Sequence, residues 1–252
     1  MLPVRKPQSP LVQFGDLVLV ELTNWRWTWK RMLLLGIIAP TANMLALKAL
    51  LATSDPSNLV FAYAGNLVLA LMFENQNRVA GHLVFMRFHG TLEYLSSLPI
   101  GKYVIVLAVA FAFFILSLPA IFVVGIAGSW LLALNLVWSP AVLIVIPLCA
   151  ISMAGLGALV GVLARTSAEA NSLSFVITIV LAGAGPVIIP PGRLPPWLIQ
   201  LSALNPATYA ASALRQSVIG PVTPRLGLDL TVLAAFSVLT LWVVNRKLDW
   251  RQ

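Results

Sequence analysis

The sequence predicts an all-α integral membrane protein with six transmembrane helices. Three observations predict it. Apolar residues make up 60% of the 252 and charged residues only 10%, where soluble domains average about 45–50% and about 25%; mean hydropathy is +0.93. Six stretches approach the roughly 20 helical residues needed to cross about 30 Å of hydrocarbon. The basic residues fall unevenly among the segments between them. So few charges could not cover a water-soluble globule of this length. Soluble enzyme, nucleic-acid-binding domain and disordered chain are therefore poor readings.

The six spans are expected over 32–51, 58–78, 103–124, 141–163, 172–189 and 226–244, all in one domain, 1–252. With the N-terminus inside, twelve Lys and Arg fall on the inner side. They are Arg5, Lys6, Arg26, Lys30, Arg31, Arg78, Arg87, Lys102, Arg165, Arg246, Lys247 and Arg251. Only Lys48, Arg193, Arg215 and Arg225 fall outside. Basic residues collect on the cytoplasmic side. Both termini are thus expected in the cytoplasm, and the net charge of +8 is explained without nucleic acid. No cleavable signal peptide is expected, because residues 1–31 lack an apolar core followed by small residues.

Three segments read as helical without spanning. Residues 11–31 mix apolar positions with Asp16, Glu21 and Asn24 and end in Trp25, Trp27 and Trp29. That suits a helix lying in the inner interface; the plainer alternative extends span one. In the inner loop 78–102, Phe88, Leu92 and Leu95 recur at helical spacing. Pro99 disfavours helix at the residue before it. A short amphipathic helix over 87–98 follows, with a solvated loop as the alternative. The outer segment 190–220 is too apolar for an ordinary loop, yet prolines at 190, 191, 195, 196 and 206 break it. Short re-entrant helices satisfy both facts, provided irregular backbone is buried in protein or wet. Residues 126–140 read as a smaller element of that kind.

Polar residues inside the spans mark a path or an interface. At 100° per residue, Tyr63, Asn66, Glu74 and Asn77 share an arc of about 80°. Glu74 is an acid near the hydrocarbon, so it should face a partner helix or water. In span five, Asn171, Ser174, Thr178, Ala182 and Gly185 form a small, polar stripe. In span one, Thr41, Met44 and Lys48 share a face. The candidate cargo path is thus Thr41, Tyr63, Asn66, Glu74, Asn171, Ser174 and Thr178. Helix packing with hydrogen-bond glue explains the same residues. Gly157 and Gly161 read as close packing, and Pro40, Pro119, Pro147 and Pro186 predict kinks.

No catalytic constellation stands out. There is no G-x-x-x-x-G-K-[ST] phosphate loop and no H-E-x-x-H. One cysteine and two histidines make no metal centre. The chain is read as no enzyme, with no cofactor of its own.

Two stretches carry a resemblance. Residues Phe85-Met86-Arg87-Phe88-His89-Gly90-Thr91-Leu92-Glu93-Tyr94-Leu95 and on to Pro99 resemble the E-R-x-x-G-T-L-E-x-L-x-x-x-P segment of type-2 ABC export permeases, with Met86 where the family carries an acid. Leu194-Pro195-Pro196-Trp197-Leu198, then Asn205-Pro206-Ala207-Thr208-Tyr209, then Arg215 and Gly220, are similar to the family's outer L-P-x-W-L, N-P-x-T-Y and R-x-x-x-x-G. The resemblance covers roughly residues 15–245. It implies a six-helix permease with an interfacial N-terminal helix, a coupling helix and re-entrant outer helices. It implies pairing with a second permease chain, as homodimer or heterodimer. It also implies two copies of a separate ABC ATPase that hold ATP and Mg²⁺. Arg87, Gly90, Thr91, Glu93 and Tyr94 would couple to that ATPase. Trp197, Asn205, Pro206, Tyr209 and Arg215 would build the outer segment. The mostly apolar path suits an amphiphilic drug, antibiotic or lipid-like cargo in the plasma or inner membrane. A lipid-linked glycan or polysaccharide exporter, or a membrane subunit with no transport of its own, are the alternatives.

Overall fold

The computed structural model describes residues 9–26, 29–50, 56–134 and 136–247. Arg5, Lys6, Trp27 and Arg251, and both termini, lie outside them. The described residues are helical, with no strand among them. The elements are α1 (Pro10–Trp25), α2 (Trp29–Leu50), α3 (Pro56–Leu71), α4 (Arg78–Phe88), α5 (Thr91–Ser96), α6 (Lys102–Leu132), α7 (Val142–Leu163), α8 (Ser167–Gly183), α9 (Pro196–Leu201), α10 (Pro206–Val218) and α11 (Arg225–Lys247).

Among the described residues, α6, α7 and α11 are each long and apolar enough to cross a membrane by length and composition. Helix α8 is apolar but shorter, at 17 residues.

Helix α7 is the central post. It packs against α11, α4 and α10. Two glycines let it approach the second span closely. A Cβ on Gly157 would strike the Gln76 carbonyl oxygen, and one on Gly161 would come within 2.8 Å of the Ala80 carbonyl oxygen. The packing role expected for this pair is the one it has. The core divides into three clusters, the smallest of them Ala80, Val84, Val160, Ala164 and Ala170. One of the larger two gathers Tyr63, Leu71, Val145, Met153, Leu214 and Leu233. The other gathers Leu83, Leu92, Leu95, Ile105, Val109 and Phe113.

Several boundaries differ from the expected ones, each for a physical reason. The second span does not end at Arg78. Helix α3 continues through a π-helical segment, Met72–Asn77, into α4, so helix persists to Phe88. Polar residues lower hydropathy there without breaking the backbone. The break comes at Gly90, whose φ of +69° is the left-handed conformation that suits glycine. The expected helix over 87–98 is therefore two elements: Arg87 and Phe88 close α4, and α5 covers only Thr91–Ser96. Its apolar face is Leu92 and Leu95, both buried, whereas Phe88 is exposed.

The third span runs on to Leu132, absorbing much of the separate element expected over 126–140. Beyond it, the Val137 and Ser139 amides donate to the carbonyls of Val218 and Ser217 at 2.9 Å. The chain there is tied to the end of α10 and forms no helix of its own. The fifth span stops at Gly183 rather than 189. Hydropathy continues through Val187–Ile189, but Gly185 and Pro186 interrupt the helix. The N-terminal helix ends at Trp25, and α2 starts at Trp29.

Helix α1 lies against α6. Its buried residues are Gln13, Val18 and Glu21, while Leu11, Val12, Leu19 and Val20 are exposed. The Gln13 amide donates to the Pro99 carbonyl at 2.9 Å, and Glu21 pairs with His82 at 2.9 Å. Trp25 packs its ring on His82 and Phe113. Polar groups thus fix this helix to the bundle, and its outward face is mostly apolar, with Asp16, Thr23 and Asn24 also exposed.

Candidate functional site

A cavity of about 480 Å³ lies between α2, α3 and α8. Its walls are almost wholly apolar, among them Leu69, Phe73, Phe175, Ile179, Ala182 and Ile188. Phe73 and Phe175 face each other with ring centroids 6.4 Å apart. Three polar side chains punctuate the walls: Asn43, Asn66 and Thr178. The Asn43 amide donates to Asn66 Oδ1 at 2.7 Å, and Asn66 Nδ2 donates to the Pro40 carbonyl at 2.9 Å. The Thr178 hydroxyl donates to the Ser174 carbonyl at 2.8 Å. An apolar cleft with a few placed polar groups is the usual build of a small-molecule site, and this volume falls in the usual range of about 300–1,000 Å³.

A second cavity, of about 730 Å³, opens toward the Arg87 end of the bundle between α1, α4, α6 and α8. It mixes aromatic and polar walls: Trp25, Phe85 and Phe113 with Asn24, Asn77, Arg78, His82 and Asn171. One ion pair and one histidine–carboxylate contact stand beside it. Arg78 donates to Glu74 at 2.8 Å, one turn away, and His82 meets Glu21.

Of the seven residues expected along a cargo path, Asn66 and Thr178 line the first cavity and Asn171 lines the second. The other four line neither cavity. Tyr63 is buried and donates to the Gly125 carbonyl of α6 at 2.9 Å. The π-helical turn shifts the register after Leu71, so the arc projected for an ideal α-helix does not hold across it. Glu74 is buried against Arg78. Ser174 is buried, and its carbonyl also accepts from Gln76 Nε2 at 3.1 Å. The Thr41 hydroxyl donates back to the Ile37 carbonyl at 2.6 Å. Asn43, Phe73 and Phe175 were missed. The Glu74–Arg78 pair was legible as an acid four residues ahead of a base. The Glu21–His82 pair joins distant segments and left no signal.

At the Arg87 end, the Arg87 guanidinium turns inward. It donates to the carbonyls of Gly161, Val162 and Ala164 at 2.9–3.1 Å. Those are orphan carbonyls of the last turn of α7, and a cation there also meets the negative end of the helix dipole. Gly90 makes the turn and Thr91 starts α5. Glu93 is exposed, and Tyr94 is 66% exposed. Together with Phe85, Phe88 and His89 they form a projecting knob. A cleft lined by Arg87, Phe88, Glu93 and Arg165 runs beside it.

At the opposite end, Asn205 organises the segment 190–220. Its Oδ1 caps α10 by accepting from the Ala207 amide at 2.9 Å. Its Nδ2 donates to the carbonyls of Leu181 and Ala184, at 2.6 and 3.3 Å, where α8 ends. Pro206 opens α10 at the position proline favours. The Tyr209 hydroxyl donates to the Ala203 carbonyl at 2.8 Å. Helix α10 is buried along most of its length, whereas Trp197 on α9 is 64% exposed. Arg215 stacks on the Phe61 ring at 3.9 Å.

The sequence matches the family model of the ABC-2 type transporter over residues 13–219, most of the chain. No curated protein matches it. The chain belongs to the ABC-2 type transporter family, and is the multi-pass membrane permease component that works with an ABC ATPase rather than an ATPase itself.

Proposed function

We propose that this permease exports an amphiphilic small molecule, drug or lipid-like compound from the cytoplasm by alternating access. It works as a dimer of permease chains driven by two ATPase subunits, which hold ATP and Mg²⁺. The observation that carries the reading is the apolar cavity between α2, α3 and α8. It has room for an apolar body, and the exposed Asn43, held by Asn66, offers a point of polar contact. A densely charged cargo would find no counter-charge on those walls.

The reading keeps six spans. Helix α2, α3 with the π segment and α4, then α6, α7, α8 and α11 cross in turn, with α1 in the inner interface. The mostly apolar outward face of α1 and its polar attachment to the bundle suit that place. Both termini are cytoplasmic by the basic-residue count. Helices α9 and α10 re-enter from the outer side, with the irregular backbone at the start of α10 tied by Asn205 to the end of α8.

The knob of α5 couples the ATPase to the bundle. Glu93, Tyr94 and Phe88 present outward, and Gly90 and Thr91 set the turn. Arg87 acts one step behind as a positioning residue, because it clamps the end of α4 to the end of α7. A push on α5 then reaches α7 and the second span together, and through them the cavity.

The test is ATPase stimulation in nanodiscs, with the partner ATPase present, across a panel of amphiphiles and lipid-linked glycans. An amphiphile should stimulate the wild-type complex. Ala182→Trp, which fills the cavity, should remove that stimulation. Undiminished stimulation in the variant would move the cargo elsewhere. Stimulation by glycans alone would turn the reading to glycan export.

A further inference from the structure

Helix α10 carries Thr208, Ser212 and Arg215 at i, i+4 and i+7, so the three lie along one face. That face borders a cavity of about 280 Å³, also lined by Phe61, Gln216, Thr223 and Arg225. Two donors in it are buried and unanswered. Arg215 Nη1 has no hydrogen-bond partner, and neither does the hydroxyl of Thr208, which is 7% exposed. A buried donor without an acceptor costs roughly 1–3 kcal/mol, more when it is charged. Native structures seldom leave such groups unmatched without an ion, a water or a ligand to meet them.

Most of the surrounding groups are already spent, although Asp229 Oδ1 has no hydrogen-bond partner. Gln216 Nε2 donates to Asp229 Oδ2 at 3.0 Å and to Ser212 Oγ at 3.2 Å. Gln216 Oε1 accepts from the Thr223 hydroxyl at 2.6 Å and the Thr223 amide at 3.2 Å. This fixes the loop before α11 as one wall. The Phe61 ring holds the guanidinium plane in place and satisfies none of its N–H groups. Burial, and then the neighbouring Arg225, push the Arg215 pKa down to about 10, which leaves it charged at neutral pH. Arg215 and Arg225 both line the cavity and bring positive charge to it.

We propose that this cavity is an anion site that takes one phosphate group, held by Arg215 and Thr208 with Arg225 at its mouth. A guanidinium fork and a hydroxyl are the donors phosphate oxygens use. Two sources present that chemistry: the headgroup of an anionic lipid, or free phosphate. The site is separate from the apolar cargo cavity and does not depend on the cargo assigned there. On the proposed topology it faces the outer side.

The full chain in phosphatidylcholine nanodiscs tests both sources. In one arm the discs contain phosphatidylglycerol, and native mass spectrometry counts the anionic lipid retained per chain. In the other, equilibrium dialysis with radiolabelled inorganic phosphate measures binding to chain in phosphatidylcholine alone. Wild type should bind one phosphate group per chain in at least one arm. Lipid retention identifies a headgroup site, and phosphate binding a free-anion site. Arg215→Gln should weaken binding about tenfold or more, as loss of a charge-assisted pair does. Thr208→Val keeps the side chain's shape and should weaken it several-fold. It carries the test alone if Arg215→Gln misfolds. No binding in either arm, or equal binding by wild type and Thr208→Val, overturns the site.

Discussion

Arg87 and Arg215 make an instructive pair. Both are partly buried arginines at the end of a helix, one at each end of the bundle. Arg87 reaches three carbonyls that α7 cannot satisfy by itself, and so joins two helices. Arg215 is stacked on an aromatic ring and has a buried N–H with no acceptor. The same side chain therefore does opposite work. A cation whose donors are met by the chain's own backbone is part of the scaffold. A cation held in place with donors unmet is part of a site. Charge and position in the sequence do not separate the two; hydrogen bonding does.

Five substitutions probe this contrast. The largest effect is expected from Glu93→Arg, which reverses the charge on the outward side of α5. Cargo-stimulated ATPase activity of the complex should vanish while the chain still inserts. Normal coupling would remove α5 from the ATPase contact. Arg87→Ala comes next. Removing charge-assisted bonds to the end of α7 should cost about 2–3 kcal/mol, read as a lower thermal midpoint in detergent, and should weaken coupling as a consequence. Arg87→Lys keeps the charge without the fork and should recover only part of the loss.

Asn205→Ala tests the other end's scaffold. It removes the cap of α10 and the tie to α8, for about 2 kcal/mol in the same measurement. The smallest effect belongs to Arg215→Gln. Without added anion, it should change stability by less than about 1 kcal/mol, since the lost ring contact is offset by removing an unmatched buried donor. A loss as large as that of Arg87→Ala would place Arg215 with the structural cations and erase the contrast.

Much of the fold was legible because hydropathy and helix-breaking residues act locally. The helical core of each expected span is helical in the structure. Gly157 and Gly161 were readable as a packing face because small residues four apart on an apolar helix serve few other purposes. Boundaries failed where hydropathy and backbone geometry disagree. Glu74, Asn77 and Arg78 looked like the end of a span, yet their backbones stay helical to Phe88. Val187–Ile189 looked like more span, yet Gly185 and Pro186 had already ended the helix.

The site was legible only in part, because facing direction depends on neighbours. Asn66 and Thr178 reach the cavity, while Tyr63 and Ser174 point into the core. The π segment between α3 and α4 rotates everything beyond it relative to an ideal helix, and nothing in the local sequence announces it. Phe73 and Phe175 are ordinary apolar residues until two helices bring their rings together.

The sequence by itself determined that this is an all-helical membrane chain of the ABC-2 type, how its basic residues are distributed, and where its two recognisable motifs lie. These follow from composition and short-range order, which act on the chain before it folds. Only the tertiary structure decided which polar groups are spent and which are available. Arg87 found its partners 74 to 77 residues away on α7, and Glu21 found His82 across the bundle. Arg215 and Thr208 were left without acceptors beside a cavity. Satisfaction of a buried polar group is a property of the space around it, and that space exists only once the helices have packed.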